Sequence, residues 1–286
     1  MRCFIGFFGL TRSLKQTVDS IRAGFYAPLL AAGIPMLRAG HFNLPDRIDN
    51  PRSGEIAVVP DRCDTALLDL DLCWVEPQSD TMIRQAWQFA RSYPDAFGDG
   101  YRSLANLCHQ MRSLERLWSL LLMLGVERDD VVLLLRPDLV YLDVLDIEAH
   151  LRPLLSGRAD IIVPAWQSWG GVNDRFAFCT GHAARVYATR FRRFQDGCRA
   201  IGAMHAEIFL KWLLEQEGLR CMTSDFRAVR LRANGVIAAN DAAMAQAFLR
   251  TSAPPAACRD DTDPPGSGQM PRDLHSRRHE SPVMVG

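Results

Sequence analysis

Five consecutive apolar residues, Val131 to Leu135, run straight into Arg136-Pro137-Asp138. An uninterrupted apolar run of this length marks a strand buried on both faces, the kind found in parallel sheets covered by helices. The stretch before it fits that frame. Leu104, Leu107, Cys108, Met111, Leu114, Trp118, Leu121 and Leu122 form an apolar stripe at helical spacing, and Gly125 is placed to end the helix. The start of the chain repeats the alternation. Residues 2–8 are apolar and β-prone, and Gly9 breaks the run. Leu14, Val18, Ile21 and Phe25 then recur at helical spacing behind Ser13, a candidate N-cap. Strand, short polar turn and helix in this order open an α/β sheet.

Further strands are expected at Pro35–Phe42, Ala66–Trp74, Asp160–Pro164 and Phe176–Cys179, with short ones near Cys221 and Val229. In the second of these, Asp69 and Asp71 alternate with leucines and read as a solvated strand face. Residues 43–65, rich in Pro, Asp and Arg, read as a loop. Helices are expected from Ser79 to near Pro94, around Ile147–Leu155, and over His205–Glu217, where Ile208, Phe209, Trp212 and Leu213 share one face. This makes residues 1–250 one mixed α/β sheet flanked by helices. From Thr251 onward Pro, Gly, Ser and charges replace core formers, so residues 251–286 read as a disordered tail.

Several classes of function are excluded by composition. The 286 residues carry 33 basic and 33 acidic side chains, so no basic footprint for nucleic acid exists. The apolar run Leu120–Leu124 is far too short to span a bilayer. The eight cysteines include no CxxC pair, and Cys3, Cys73 and Cys179 sit in strand-like runs. That pattern suits buried, reduced thiols of a cytoplasmic protein.

In open α/β sheets ligands bind beyond the carboxyl ends of the strands. Three polar clusters fall at such ends. Thr11, Arg12 and Ser13 combine hydroxyls, a guanidinium and a helix start, a set suited to phosphate. An equal reading has Ser13 merely capping the helix. No GxGxxG or GxxxxGK[ST] pattern is present, which argues against dinucleotide oxidoreductases and P-loop NTPases. Asp138, after the buried apolar strand, needs a cation partner, either Arg136 or a divalent metal such as Mg or Mn. Tyr141 and Asp143 lie just beyond it. The third cluster is Trp169 to Phe178, with Trp166 upstream. Aromatic rings stack on apolar sugar faces, while Asp174 and Arg175 fix hydroxyls or phosphates. The plainer reading of that pair is a local ion pair beside a glycine turn. His205 and Glu207 follow at a helix start. His205 is a candidate metal ligand, and Glu207 either works as a base or complements the helix dipole. The basic run Arg185, Arg190, Arg192, Arg193 and Arg199 would suit a lipid-linked acceptor or an anionic membrane surface, but the preferred reading is a solvated helix face.

The series FFGLTRSL, LLLRPDLVYLD, WGGVNDRFAFC and HAEIFLKWLLEQEGL, spread over residues 2–235, resembles bacterial glycosyltransferase-like proteins of polysaccharide and lipopolysaccharide clusters. The resemblance implies the GT-A fold, a nucleoside-diphosphate-sugar donor, and an acceptor hydroxyl on a glycan or lipid-linked glycan. It places Arg12 and Asp138 on the donor side, with Arg136 beside them to neutralise phosphate charge; Thr11 and Arg175 are the further donor-side candidates, and Arg175 either contacts the donor or braces Asp174. Trp166 and Trp169 fall on the acceptor side, and Asp174 or Glu207 becomes the base. Asp138 and His205 are the candidate metal ligands. The family's usual acidic motif is Asp-x-Asp, and Arg136 stands at its first position here. The alternative is a non-catalytic carbohydrate- or nucleotide-binding module on the same fold. A methyltransferase would need a glycine-rich turn after the first strand, where only Gly9 is found.

Overall fold

The computed structural model describes residues 2–50, 55–60 and 62–246. The tail expected from Thr251 lies outside them. The strands are β1 (Cys3–Gly9), β2 (Met36–Leu44), β3 (Ile48–Asn50), β4 (Glu55–Val58), β5 (Leu72–Pro77), β6 (Val131–Leu135), β7 (Leu139–Tyr141), β8 (Ile161–Pro164), β9 (Ala177–Thr180), β10 (Cys221–Ser224) and β11 (Ala228–Arg230). Seven of them form one sheet in the order β10-β8-β9-β6-β1-β2-β5. All pair in parallel except β9, which runs antiparallel to both β6 and β8. β7 pairs with β11, and β3 with β4, in two small antiparallel ladders.

Helix α1 (Leu14–Ile21) continues through a π-helical turn, Arg22–Tyr26, into α2 (Ala27–Ala31). Then come α3 (Arg84–Ala90), α4 (Arg102–Met123), α5 (Arg152–Leu155), α6 (Gly181–Ala188), α7 (Phe194–Ile201) and α8 (Ala206–Gln216). Alternation along β1 divides them between the two faces. Cys3, Ile5 and Phe7 pack with Leu14, Val18 and Ile21 of α1. Phe4 and Phe8 pack with Leu114, Leu117 and Leu121 of α4. Each such side chain, buried outright, contributes roughly 1.5–3 kcal/mol relative to exposure. Gly6 lets α4 approach closely, since a Cβ there would lie 2.8 Å from Leu117 Cδ2. A smaller apolar cluster joins α3, α4, α7 and α8 through Ala90, Leu107, Met111, Phe194 and Phe209.

The mixed α/β sheet with helices on both faces matches the sequence reading, and several local expectations are corrected. Residues 66–68 belong to a 3₁₀ helix, Arg62–Leu68, and the strand begins only at Leu72. Asp69 takes a left-handed φ of 50°, and Asp71 accepts a hydrogen bond from the Arg38 backbone N at 2.7 Å. The Asp71 side chain competes with ladder bonds in this way, so these two residues lead into the strand rather than forming its face. The expected loop 43–65 contains the β3–β4 pair. Ser13 does not cap α1; its hydroxyl donates to the Leu231 carbonyl at 2.9 Å. The helix expected from Ser79 starts as a 3₁₀ turn, Asp80–Met82, and becomes α-helical only at Arg84. Cys73 is exposed, whereas Cys3 and Cys179 are buried as expected. Ile208 lies outside the buried face of α8, which is Phe209, Leu210, Leu213 and Leu214.

Candidate active site

The carboxyl edge of the sheet gathers the polar clusters, and strand direction explains why. β1 and β6 are parallel, so the residues after Gly9 and Leu135 emerge on the same edge. β9 runs the other way, with Ala177 opposite Leu134, so the residues before it also reach that edge. The segment after β8 arrives there too. Thr11-Arg12, Arg136-Asp138, Trp166-Trp169 and Asp174-Arg175 therefore converge from four places in the chain.

Asp138 is the hub, and it is buried. Arg136 grips it twice, Nε to Oδ1 at 2.9 Å and Nη2 to Oδ2 at 2.8 Å, and Arg12 Nη2 adds a third bond to Oδ2. Burial alone would push the Asp138 carboxyl up. Arg136 and Arg12 more than offset it and hold the group well below the usual carboxylate range. For Arg136 burial works against the charge, and Asp138 overrides it, so its pKa is raised. Arg12 also reaches Glu55 Oε2 at 3.2 Å, and Arg232 reaches the same oxygen at 3.4 Å. The β7–β11 ladder sets Arg230 opposite Leu139, next to this hub, and the Leu231 backbone N donates to the Asp138 carbonyl at 2.9 Å.

Asp174 and Arg175 do not form the local ion pair. Neighbours on an extended chain face opposite ways. Arg175 turns toward Asp241, donating to both carboxylate oxygens at 2.9 Å and also to Gln167 Oε1, with its guanidinium 5.0 Å over the Trp166 ring. Asp174 turns toward the helices. Its Oδ2 accepts from Gln110 Nε2 at 3.1 Å and from Arg190 Nη2 at 3.3 Å. No hydrogen bond from the described residues reaches its Oδ1. Gln110, on α4, uses its other end to accept from Arg136 Nη1 at 2.8 Å, so one amide links the Asp138 hub to Asp174.

The glycine turn seats this loop on α8. A Cβ at Gly171 would lie 2.0 Å from the Glu207 carbonyl oxygen, and the Val172 backbone N donates to that same carbonyl at 3.1 Å. Only glycine permits this approach. Trp169 takes a left-handed φ of 45° and leaves 55% of its surface exposed. Trp166 differs: it packs against the core, its Nε1 donates to the Phe226 carbonyl, and Arg175 covers one ring face. His205 Nδ1 lies 3.1 Å from Glu207 Oε2, and the His205 ring stacks on Phe97 with centroids 5.2 Å apart. The Glu207 carboxylate beside it raises the His205 pKa, while burial opposes it.

The donor set does not fit a divalent metal at Asp138. Both carboxylate oxygens are committed to guanidiniums, and an ion there would have to displace one. Among the described residues no group of three His, Cys, Asp or Glu side chains is arranged to hold a metal ion, and His205 is paired with Glu207. Thr11 is buried in the turn after β1, where its carbonyl accepts from the Leu14 backbone N.

Glu55, Gln110, Arg230, Arg232 and Asp241 were not singled out by sequence reasoning. Arg190 was hidden in an arginine run read as a solvated face. It is 1% exposed and lies 4.2 Å over the Tyr187 ring. The rest of the run bears out that reading: Arg192 pairs with Glu115, Arg193 with Asp196 and Glu217, and Arg199 with Asp196. The alternation Arg230-Leu231-Arg232 after a short apolar strand is the one signal that sequence offered. No helix among the described residues is long and apolar enough to cross a membrane.

Among solved structures the chain is similar to mouse xyloside xylosyltransferase 1 in its apo form, at 13% identity. The match covers 78% of this chain and 84% of that one, with a TM-score of 0.35. It is also similar to the galactosyltransferase LgtC in complex with donor and acceptor sugar analogues, at 8% identity. There it covers 78% of this chain and 73% of that one, with a TM-score of 0.39. No protein-family profile and no curated protein sequence matches the chain.

Proposed function

We propose that this chain is a glycosyltransferase that moves a sugar from a nucleoside-diphosphate-sugar to a hydroxyl of a glycan or lipid-linked glycan. One observation carries the reading. A dense guanidinium cluster lies at the carboxyl edge of the sheet, and through Gln110 it is tied to a carboxylate, Asp174, with one oxygen left open. Glycosyl transfer needs both parts. The leaving diphosphate gains negative charge as the glycosidic bond breaks, so fixed cations aimed at it lower the barrier most. Arg136 and Arg12 are held for that task by Asp138 and Glu55. Arg175, turned toward Asp241, borders the same edge.

On the acceptor side, Asp174 takes the proton of the attacking hydroxyl at Oδ1, while Gln110 and Arg190 fix its orientation through Oδ2. Glu207 is the rival base, and its contact with His205 makes it the less available of the two. Trp169, exposed on its strained turn, offers a stacking face for the acceptor sugar. Trp166 supports Arg175 rather than meeting the acceptor.

Incubation with a panel of UDP-, GDP-, CMP- and dTDP-sugars tests the proposal by release of free nucleotide. One member of the panel should be hydrolysed or transferred, and Asp174→Asn should lose turnover while still binding that donor. Donor binding with no turnover under any condition would instead favour a non-catalytic binding module. Wild-type turnover in Asp174→Asn would remove Asp174 from the mechanism.

A further inference from the structure

The guanidinium cluster holds more positive charge than its own carboxylates neutralise. Arg12, Arg136, Arg175 and Arg232 each reach Glu55, Asp138 or Asp241. Arg230 does not. Its backbone N donates to Asp241 Oδ2 at 2.7 Å, but among the described residues its guanidinium has no hydrogen-bond or ion-pair partner, and its Nε is buried without one. The Nε atoms of Arg12 and Arg232 are buried and unbonded as well. Burial, then Arg175, Arg136 and Arg232, pull the Arg230 pKa down to about 9 against the pull of Asp138. The group is still cationic at neutral pH. An unpaired guanidinium set among other guanidiniums costs stability, and a fold gains nothing from it unless an anion arrives.

We infer that Arg230, with Arg136 and Arg232, forms a cation cradle that binds the donor's diphosphate in place of a divalent metal. Five guanidiniums face three carboxylates here, an excess of two charges, which matches the two negative charges of a nucleoside-diphosphate-sugar. Arginine's planar donors suit phosphate oxygens in pairs. Asp138 then serves to fix Arg136 and Arg12, which explains why both its oxygens are taken. A dication would enter a field that is already positive. The inference rests on the transferase reading for the identity of its ligand, although the cradle can be tested alone.

The test uses the full chain and inorganic pyrophosphate, with binding followed by calorimetry in EDTA and again with excess Mg²⁺. Pyrophosphate should bind in EDTA and bind more weakly as its Mg²⁺ complex, and orthophosphate should bind at least tenfold more weakly. Arg230→Gln should lower pyrophosphate affinity at least tenfold while raising the melting temperature of the ligand-free protein, because it removes an unpaired charge set among other guanidiniums. A variant that failed to fold would lower that temperature instead, so Arg230→Lys provides a second case, with retained charge and intermediate affinity. Binding that appears only with Mg²⁺, equal affinity for orthophosphate, or wild-type affinity in Arg230→Gln would each overturn the cradle. Pyrophosphate binding without turnover of any nucleotide-sugar would sink the transferase reading and leave the cradle standing. Turnover abolished by EDTA would do the reverse.

Discussion

Replacing Arg190 by Met should destabilise the fold by about 3 kcal/mol, and the structure shows where that figure comes from. The methionine keeps most of the apolar stem of a side chain that is 1% exposed. It removes the guanidinium that lies 3.3 Å from Asp174 Oδ2, donates to the Tyr187 carbonyl at 3.0 Å, and covers the Tyr187 ring at 4.2 Å. Breaking a buried ion pair by deleting one partner costs about 3–5 kcal/mol, because the other charge stays buried. The low end applies, since Gln110 still donates to Asp174. Urea denaturation at neutral pH measures the loss, and the cycle with Asp174→Asn identifies its source. If the loss comes from an orphaned carboxylate, the double variant should be less destabilised than the sum of the singles by about 1.5–3 kcal/mol. A loss below about 1 kcal/mol for Arg190→Met, or a strictly additive cycle, would refute the claim that Arg190 holds Asp174 in place.

His41 is fully buried, with Nδ1 3.0 Å from Ser113 Oγ, Nε2 3.3 Å from Glu76 Oε1, the Trp74 ring against it, and Arg112 and Arg116 nearby. Burial, then the two arginines, push its pKa down to about 3 from 6.5. A folded-state pKa below the unfolded one favours the neutral ring, so this contribution is complete above about pH 6.5 and is lost as pH falls toward 3. His41→Gln should therefore flatten the acid side of the stability profile, and an unchanged slope between pH 6 and 4 would disprove it. Gly171→Ala should lower stability by at least 1–3 kcal/mol, because the new methyl meets the Glu207 backbone rather than a movable side chain. A melting temperature within a degree of wild type would contradict that contact. Trp169→Ala should leave stability within about 0.5 kcal/mol, as expected for an exposed side chain, yet raise the acceptor KM several-fold. Unchanged acceptor KM would remove Trp169 from the site.

Much of the sheet was legible because it is written in periodicity. The run Val131–Leu135 and the stripe along α4 each announce their element within one window; the run is buried throughout, and the stripe is buried except at Leu122, which is 53% exposed. The 66–74 segment misled for the opposite reason: a period of two was present, but Asp69 takes a left-handed φ with its carboxylate on Arg22, and Asp71 spends its carboxylate on the Arg38 backbone. The site divided in the same way. Arg136, Asp138 and Asp174 stand at strand ends and could be named. Arg12 and Arg175 could be named as well, but not the groups they meet, because Arg12 reaches Asp138 across 126 residues and Glu55 across 43, and Arg175 reaches Asp241 across 66. No local pattern encodes such a meeting. It follows from strand order, above all from the antiparallel course of β9, which turns Asp174 toward Gln110 and Arg190.

In the proposed reaction a cationic donor site and an Asp174 base act on one nucleotide-sugar. It is tested most directly by following free nucleotide release and sugar transfer from the nucleotide-sugar panel with wild-type protein and Asp174→Asn side by side. Wild type should turn over one donor, and Asp174→Asn should lose at least about a hundredfold of that turnover with donor binding retained. Turnover in the variant equal to wild type, or no binding of any donor by the folded wild-type protein, would contradict it.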